Sequence, residues 1–424
     1  MDVIISQKCL SGEITAITSK SQAHRILIAS ALSGCHKDVL ISDTSDDIEA
    51  TRNCLSQLGE DIPVFNCQES GSTLRFLLPI SMALKAKAVF TGTGGLPERP
   101  LSPLKEQMEA HGCVFSVSGE EICTIEGGLT GGKYELSGNV SSQFITGLLF
   151  ALPLLPESSE ILLSSPLQSA GYVTMTLQVL EMFGIKIEVL FDEDSSEEAY
   201  SAFRIKGKQK YVSPGDLTIE GDWSNAAFWL AAGAISTDPG ISVTCRGLNF
   251  LSSQGDRKIT AIIKAFGGNI VKSGTNVTAS SGGLRGIEID AAQIPDLIPV
   301  ISVIAAVSSG TTKIINAERL RIKESDRLHG IYDCLTKLGA DVTEYPDSLI
   351  INGKECLSGG TVSGFNDHRI VMSMAIAALR CNSPVTITGA DAISKSYPLF
   401  FEDFKKLGGE VEVLSCSHSS LNTE

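Results

Sequence analysis

Residues 301–315, ISVIAAVSSGTTKII, run from an apolar segment through the polar gap SSG into the β-branched stretch TTKII. The first part suits a helix buried on all sides, and the second a strand with one buried face. The same order recurs as ILIASALSGCHKDVLI (26–41), LPISMALKAKAVFT (78–91), LLFALPLLPESSEILL (148–163), FWLAAGAISTDPGISVT (228–244) and MAIAALRCNSPVTIT (374–388). A second pattern interleaves with it, a helix ended by Gly and followed by an alternating strand: LGEDIPVF, HGCVFSVS, FGIKIEVL, FGGNIVKS, LGADVTEY and LGGEVEVL. Its first glycines, Gly59, Gly112, Gly184, Gly267, Gly339 and Gly408, are 53, 72, 83, 72 and 69 residues apart, too variable for a solenoid of fixed short period. Each is read as a helix terminator in the left-handed conformation. Six α/β units follow, three to a domain, with apolar helices inside and sheets outside; an ordinary doubly wound sheet is the alternative.

A chain of 424 residues exceeds what one hydrophobic core usually supports, so two domains or three small ones are expected. The net charge of −15 repels nucleic acid and anionic membranes, so an anionic ligand needs a local cluster of cations. Eleven cysteines, none spaced C-x-x-C and mostly flanked by apolar residues, read as reduced, buried thiols. With no leader-like N-terminus and no apolar run near the roughly 20 residues of a membrane span, a cytoplasmic location is expected. The acidic stretch Asp192 to Glu198 reads as a solvated hairpin loop, and GGLTGGKY (127–134) as a strand connection rather than a phosphate loop, because Tyr134 replaces the needed Ser or Thr.

Three segments put Ser or Gly ahead of apolar helices, the first two with cations as well: SKSQAHR (19–25), ESGSTLR (69–75) and SGNVSSQ (137–143). Lys20, Ser21 and Arg25 can converge on a helix N-terminus, where free N–H groups and the helix dipole favour an anion, and Gly71 permits close backbone approach. In RLRIKESDR (319–327), Lys323, Glu324 and Arg327 are expected on one helical turn, with a salt-bridged surface helix as the bland alternative. Asp296 stands alone in the apolar IPDLIP and must be paired or functional if buried. NDHR (366–369) opens another apolar helix, and Lys395 lies in SKSYP.

Together SKSQAHR, SGSTLR, GLPERP, GNVSSQF, IPDLIP, RIKESDR, NDHR and SKSYP, in that order along nearly the whole chain, resemble the enolpyruvyl transferase family, in its branch acting on shikimate 3-phosphate. The resemblance implies two inside-out α/β barrel domains, each of three βαβαββ units. It implies transfer of the enolpyruvyl group of phosphoenolpyruvate to the 5-hydroxyl of shikimate 3-phosphate through a tetrahedral intermediate, by a monomer without cofactor or metal. Lys20, Ser21, Arg25, Ser141, Ser142, Gln143, Ser169, Tyr172, Asp296 and Lys323 correspond to shikimate 3-phosphate ligands. Lys20, Gly71, Arg99, Gln143, Glu324, Arg327, Arg369 and Lys395 correspond to the phosphoenolpyruvate set, with Lys20, Asp296 and Glu324 as the catalytic groups. Glu69 and Arg319 stand where Asn is frequent in the family. The expected domains are residues 20–221, and 1–19 plus 222–424, with the site in the cleft between them. Seven cations (Lys20, Arg25, Arg99, Lys323, Arg327, Arg369, Lys395) then face one another, and their repulsion is expected to hold the domains apart until anionic substrates arrive. The sister activity on UDP-N-acetylglucosamine needs a Cys that the 92–99 loop lacks, and a non-catalytic binding protein would not need Asp296 and Glu324.

Overall fold

The chain, seen in a computed structural model, is described over residues 1–34, 39–192 and 199–414. The gap residues 35–38 of the first unit, and the acidic loop beyond Asp192, lie outside the described residues. Six buried helices carry the cores. The first core, from Ala23 to Ile219, holds α1 (Lys20–Leu32), α2 (Gly71–Leu84) and α3 (Ser142–Ala151). The second combines Val3, Ile5, Leu10, Ile14 and Ile17 with the chain from Trp223 to Leu407 and holds α4 (Trp223–Ala234), α5 (Ile298–Ala306) and α6 (His368–Ala378). Every residue of α4, α5 and α6 is buried, because branched and small apolar side chains on all faces leave no stripe for water.

Strands alternate buried and more exposed positions, as in Asp2–Ser6 and Lys87–Thr91, so each sheet lays one face on these helices. Five sheets have four strands each among the described residues, with a recurring layout. Glu288–Asp290 and Thr311–Ile315, for example, run parallel, and the hairpin of Asp341–Glu344 and Leu349–Asn352 adds to them antiparallel. In the last sheet Asp2–Ser6 inserts between Val385–Thr388 and Glu410–Leu414, while Gly12–Thr15 joins Ser242–Arg246 in another. The first residues of the chain therefore complete sheets of the second core. Beside them the chain passes between the cores: Thr18 bridges Gly221, Ser19 N–H donates to Glu220 O (2.9 Å) and Asp222 N–H to Ile17 O (2.8 Å).

Five of the six predicted terminator glycines have positive φ, between 79° and 104°: Gly112, Gly184, Gly267, Gly339 and Gly408. Gly59 does not; it closes a 3-10 turn, Gln57–Gly59, and the strand after it, Val64–Asn66, pairs forward with Lys87–Thr91. Among the described residues the first unit thus has no hairpin of its own, and its sheet is the two-stranded parallel pair of Val39–Leu40 with Leu217–Thr218. The short spacing of 53 residues after Gly59 is the trace of that missing hairpin. The segment at 128–132 connects two strands, as expected. Of the nine described cysteines, all free, seven are buried. No helix among the described residues is long and apolar enough to cross a membrane.

Candidate active site

The helix N-termini are built by short polar caps. Ser19, Ser70 and Ser141 accept N–H bonds from Gln22, Thr73 and Gln143 at 3.3–3.4 Å, and Asp367 accepts from Arg369 N–H at 2.9 Å. Between the cores lies a cavity of about 100 Å³. Its walls include Lys20, Ser21, Arg25, Gly71, Arg99, Ser141, Ser142, Gln143, Ser169 and Tyr172 from the first core, and Asp296, Lys323, Glu324 and Arg369 from the second. Fourteen of the sixteen predicted site residues meet there. Arg327 and Lys395 are not on its walls.

Arg327 lies beneath the cavity, 1% exposed, and holds three carboxylates: Asp367 (Nε–Oδ2 2.7 Å), Asp296 (Nη1–Oδ1 2.7 Å) and Glu324 (Nη2–Oε2 2.5 Å). The expected single helical turn is not formed. Glu318–Ile322 is a 3-10 turn, Lys323 is extended, and the helix starts at Arg327 under the Asp326 cap. This break turns Lys323 and Glu324 toward the cavity while the guanidinium stays buried, so the surface-helix alternative also falls. Asp296 further faces Lys323 (3.4 Å) and Arg369 (3.7 Å) and accepts a hydrogen bond from Tyr172 Oη (3.1 Å). Burial pushes its carboxyl up, but Arg369, Lys323 and Arg327 outweigh burial and hold it well below the usual carboxylate range. Glu324 behaves alike: burial opposes ionisation, and Arg327, Arg99 (3.9 Å) and their neighbours override it. Both carboxylates are therefore ionised near neutral pH.

On the first core, Lys20 Nζ pairs with Asp47 at 2.7 Å, and its backbone N–H donates to Asp222 at 3.1 Å. Gly71 serves a closer approach than expected, since a Cβ there would stand 2.6 Å from the Arg99 guanidinium. Arg25 donates to Thr176 Oγ1 (2.8 Å) and Ser21 O (2.6 Å) with Phe76 and Tyr172 on its faces. Arg75 donates to Gln143 Oε1 (2.7 Å), which orients that amide toward Ser72 (2.9 Å). Arg319 reaches from the second core to Ser169 Oγ (3.0 Å) and Val140 O (3.2 Å) on the first. Among the described residues these three buried guanidiniums bond to neutral acceptors and to no carboxylate. Burial lowers Arg25 and Arg75 to about 10, helped at Arg75 by the Arg99 charge, and each stays cationic. Buried cations without counter-ions mark a place for an anion.

Asp47, Arg75, Asp367 and His368 were not singled out by sequence. Arg75, Asp367 and His368 sit inside quoted segments, whereas nothing local distinguishes Asp47, an acid in the first turn of its helix. The His368 ring is held neutral by burial and by the charges of Lys20 and Arg369. The count of seven mutually repelling cations left out Asp47, Glu69 and Asp367, which pair with Lys20, Lys395 and Arg327 and offset part of that repulsion.

Residues 60–404 match the sequence profile of a family described as EPSP synthase (3-phosphoshikimate 1-carboxyvinyltransferase). The chain belongs to the EPSP synthase family. It is 43% identical over 429 residues to the 3-phosphoshikimate 1-carboxyvinyltransferase of Clostridium perfringens strain 13, covering 96% of this chain and 98% of that one. The relative of the same name from Clostridium kluyveri is 43% identical over 430 residues, with 97% and 98% covered. The fold is shared with EPSP synthase from Acinetobacter baumannii (TM-score 0.76, 22% identity, 98% of this chain and 100% of that one). It is also shared with the enolpyruvyl transferase NikO from Streptomyces tendae (TM-score 0.73, 16% identity, 97% and 98%).

Proposed function

We infer that this member of the EPSP synthase family transfers the enolpyruvyl group of phosphoenolpyruvate to the 5-hydroxyl of shikimate 3-phosphate and releases phosphate. The observation that carries the assignment of roles is the pair of ionised carboxylates, Asp296 and Glu324, bridged by buried Arg327 at the wall of a cavity rich in cations. The two cores are read as two domains, residues 20–221, and 1–19 plus 222–424, with substrates bound between them. Ser21, Arg25, Ser141, Ser142, Ser169, Tyr172 and Lys323 hold the phosphorylated ring substrate. Gly71, Arg99, Glu324, Arg327, Arg369 and Lys395 serve phosphoenolpyruvate, with Gln143 between the two.

Asp296, kept as a carboxylate, accepts the 5-hydroxyl proton as that oxygen attacks C2. The Lys20 ammonium gives a proton to C3. In the second half Glu324 removes a proton from the new methyl group while the C2–O bond to phosphate breaks, and the departing phosphate takes up one proton. The remaining proton returns to Lys20, so charge and atoms balance over the cycle. The cations already on the cavity walls, Arg99 and Arg369, stabilise the leaving phosphate from fixed positions. The enzyme is read as a monomer, working in the cytoplasm.

Phosphate release with phosphoenolpyruvate, offering shikimate 3-phosphate and UDP-N-acetylglucosamine in parallel, tests the reading. Turnover is expected with shikimate 3-phosphate alone. Turnover with the nucleotide sugar alone reverses the assignment.

A further inference from the structure

One predicted phosphoenolpyruvate cation is turned away from the cavity. Lys395 Nζ lies 2.7 Å from Glu69 Oε2 and 2.5 Å from Asn366 O, and its side chain is 9% exposed. The same oxygen of Glu69 accepts a second bond from Asn366 Nδ2 at 2.9 Å. Glu69 belongs to the first core, immediately before the Ser70 cap of α2, whereas Lys395 and Asn366 belong to the second. One carboxylate oxygen therefore clasps the two halves together. Its carboxyl group also rests where a Cβ on Gly94 would lie, so it is packed against the loop that carries Arg99. The second-core end of the clasp is held on unusual backbone: Phe365 and Asn366 both have positive φ, 52° and 50°.

The other carboxylates paired with site cations, Asp47, Asp296 and Glu324, face the cavity, and Asp367 lies under Arg327; Glu69 is on none of the cavity walls. It neutralises Lys395 without exposing it. We propose that Glu69 is a displaceable counter-ion for Lys395, and that phosphoenolpyruvate gains this ammonium only by displacing the carboxylate. The proposal rests on the assignment of Lys395 to phosphoenolpyruvate. A phosphate dianion can make the exchange because it offers a second negative charge and more acceptor oxygens than the carboxylate it replaces. Glu69 thus sets the affinity threshold at this end of the site and disfavours singly charged anions.

A double-mutant cycle in the full chain tests this. Glu69→Gln, at a side chain 28% exposed and outside the cores, is expected to lower the KM for phosphoenolpyruvate about 3–10-fold and leave that for shikimate 3-phosphate unmoved. Lys395→Met is expected to raise the phosphoenolpyruvate KM, and adding Glu69→Gln to it should then change nothing further. An unchanged or raised KM in Glu69→Gln overturns the proposal, as does an equal fall in the Lys395→Met background, which would mean a general field effect. Calorimetric titration of the same four proteins with inorganic phosphate reads the exchange without turnover. A gain in phosphate affinity on Glu69→Gln that disappears with Lys395→Met supports the counter-ion even if the reaction assigned above fails; no gain overturns it.

Discussion

Glu324→Gln removes one negative charge and leaves the shape of the side chain. In the wild type its carboxylate sits 2.5 Å from Arg327 Nη2 and 3.9 Å from Arg99 Nη2. Arg327 keeps Asp296 and Asp367, both at 2.7 Å, so its buried charge stays paired in the variant. Glu324 is 22% exposed, which dilutes the lost pair, and the stability cost should be about 1 kcal/mol. The chemical cost is larger, because an amide cannot take up the methyl proton in the elimination step. Losing a positioned proton acceptor lowers kcat by roughly 10²- to 10⁴-fold, equivalent to about 3–5 kcal/mol in the barrier. Arg99 and Arg327 become more cationic toward ligands, so the KM for phosphoenolpyruvate should not rise. Steady-state phosphate release, with single-turnover quench to separate binding from chemistry, measures both quantities. A kcat equal to wild type, or a loss carried wholly by KM, refutes the role given to Glu324.

Lys323→Ala should raise the KM for shikimate 3-phosphate by about 10-fold or more, through one lost charge-assisted contact. It also removes one of three cations that hold Asp296 ionised, so the acid limb of the pH–kcat profile should move up; an unmoved limb refutes the coupling. Asp256 is buried, and burial followed by the nearby Asp296 charge raises its carboxyl to about 6. A carboxyl raised on folding stabilises below its unfolded value and loses that contribution as pH rises through about 6. Wild type should therefore lose on the order of 2–3 kcal/mol relative to Asp256→Asn between pH 4 and 6. Chemical denaturation across that range checks it, and parallel pH curves refute it.

Much of the fold is written in local sequence because its units are local: an apolar segment without charge must be buried on all sides, and a glycine followed by alternation ends a helix and starts a half-buried strand. Where that chemistry was present, five glycines adopt the left-handed conformation; at Gly59 the hairpin is absent, and only the short spacing hinted at it. The motif residues were legible for a similar reason, since Ser, Gly and cations ahead of an apolar helix create a site for an anion wherever the helix packs. The tertiary structure decided the counter-charges. Asp47 reaches Lys20 from another helix, and Glu69 meets Lys395 across 326 residues of chain, so no spacing along the sequence could reveal either pair. Nor could it show Arg319 bonding to Ser169 from the opposite core. Helix ends and strand alternation depend on neighbours a few residues away. The pairing of buried charges depends on which surfaces the fold brings within about 4 Å, where low polarity makes each partner matter most.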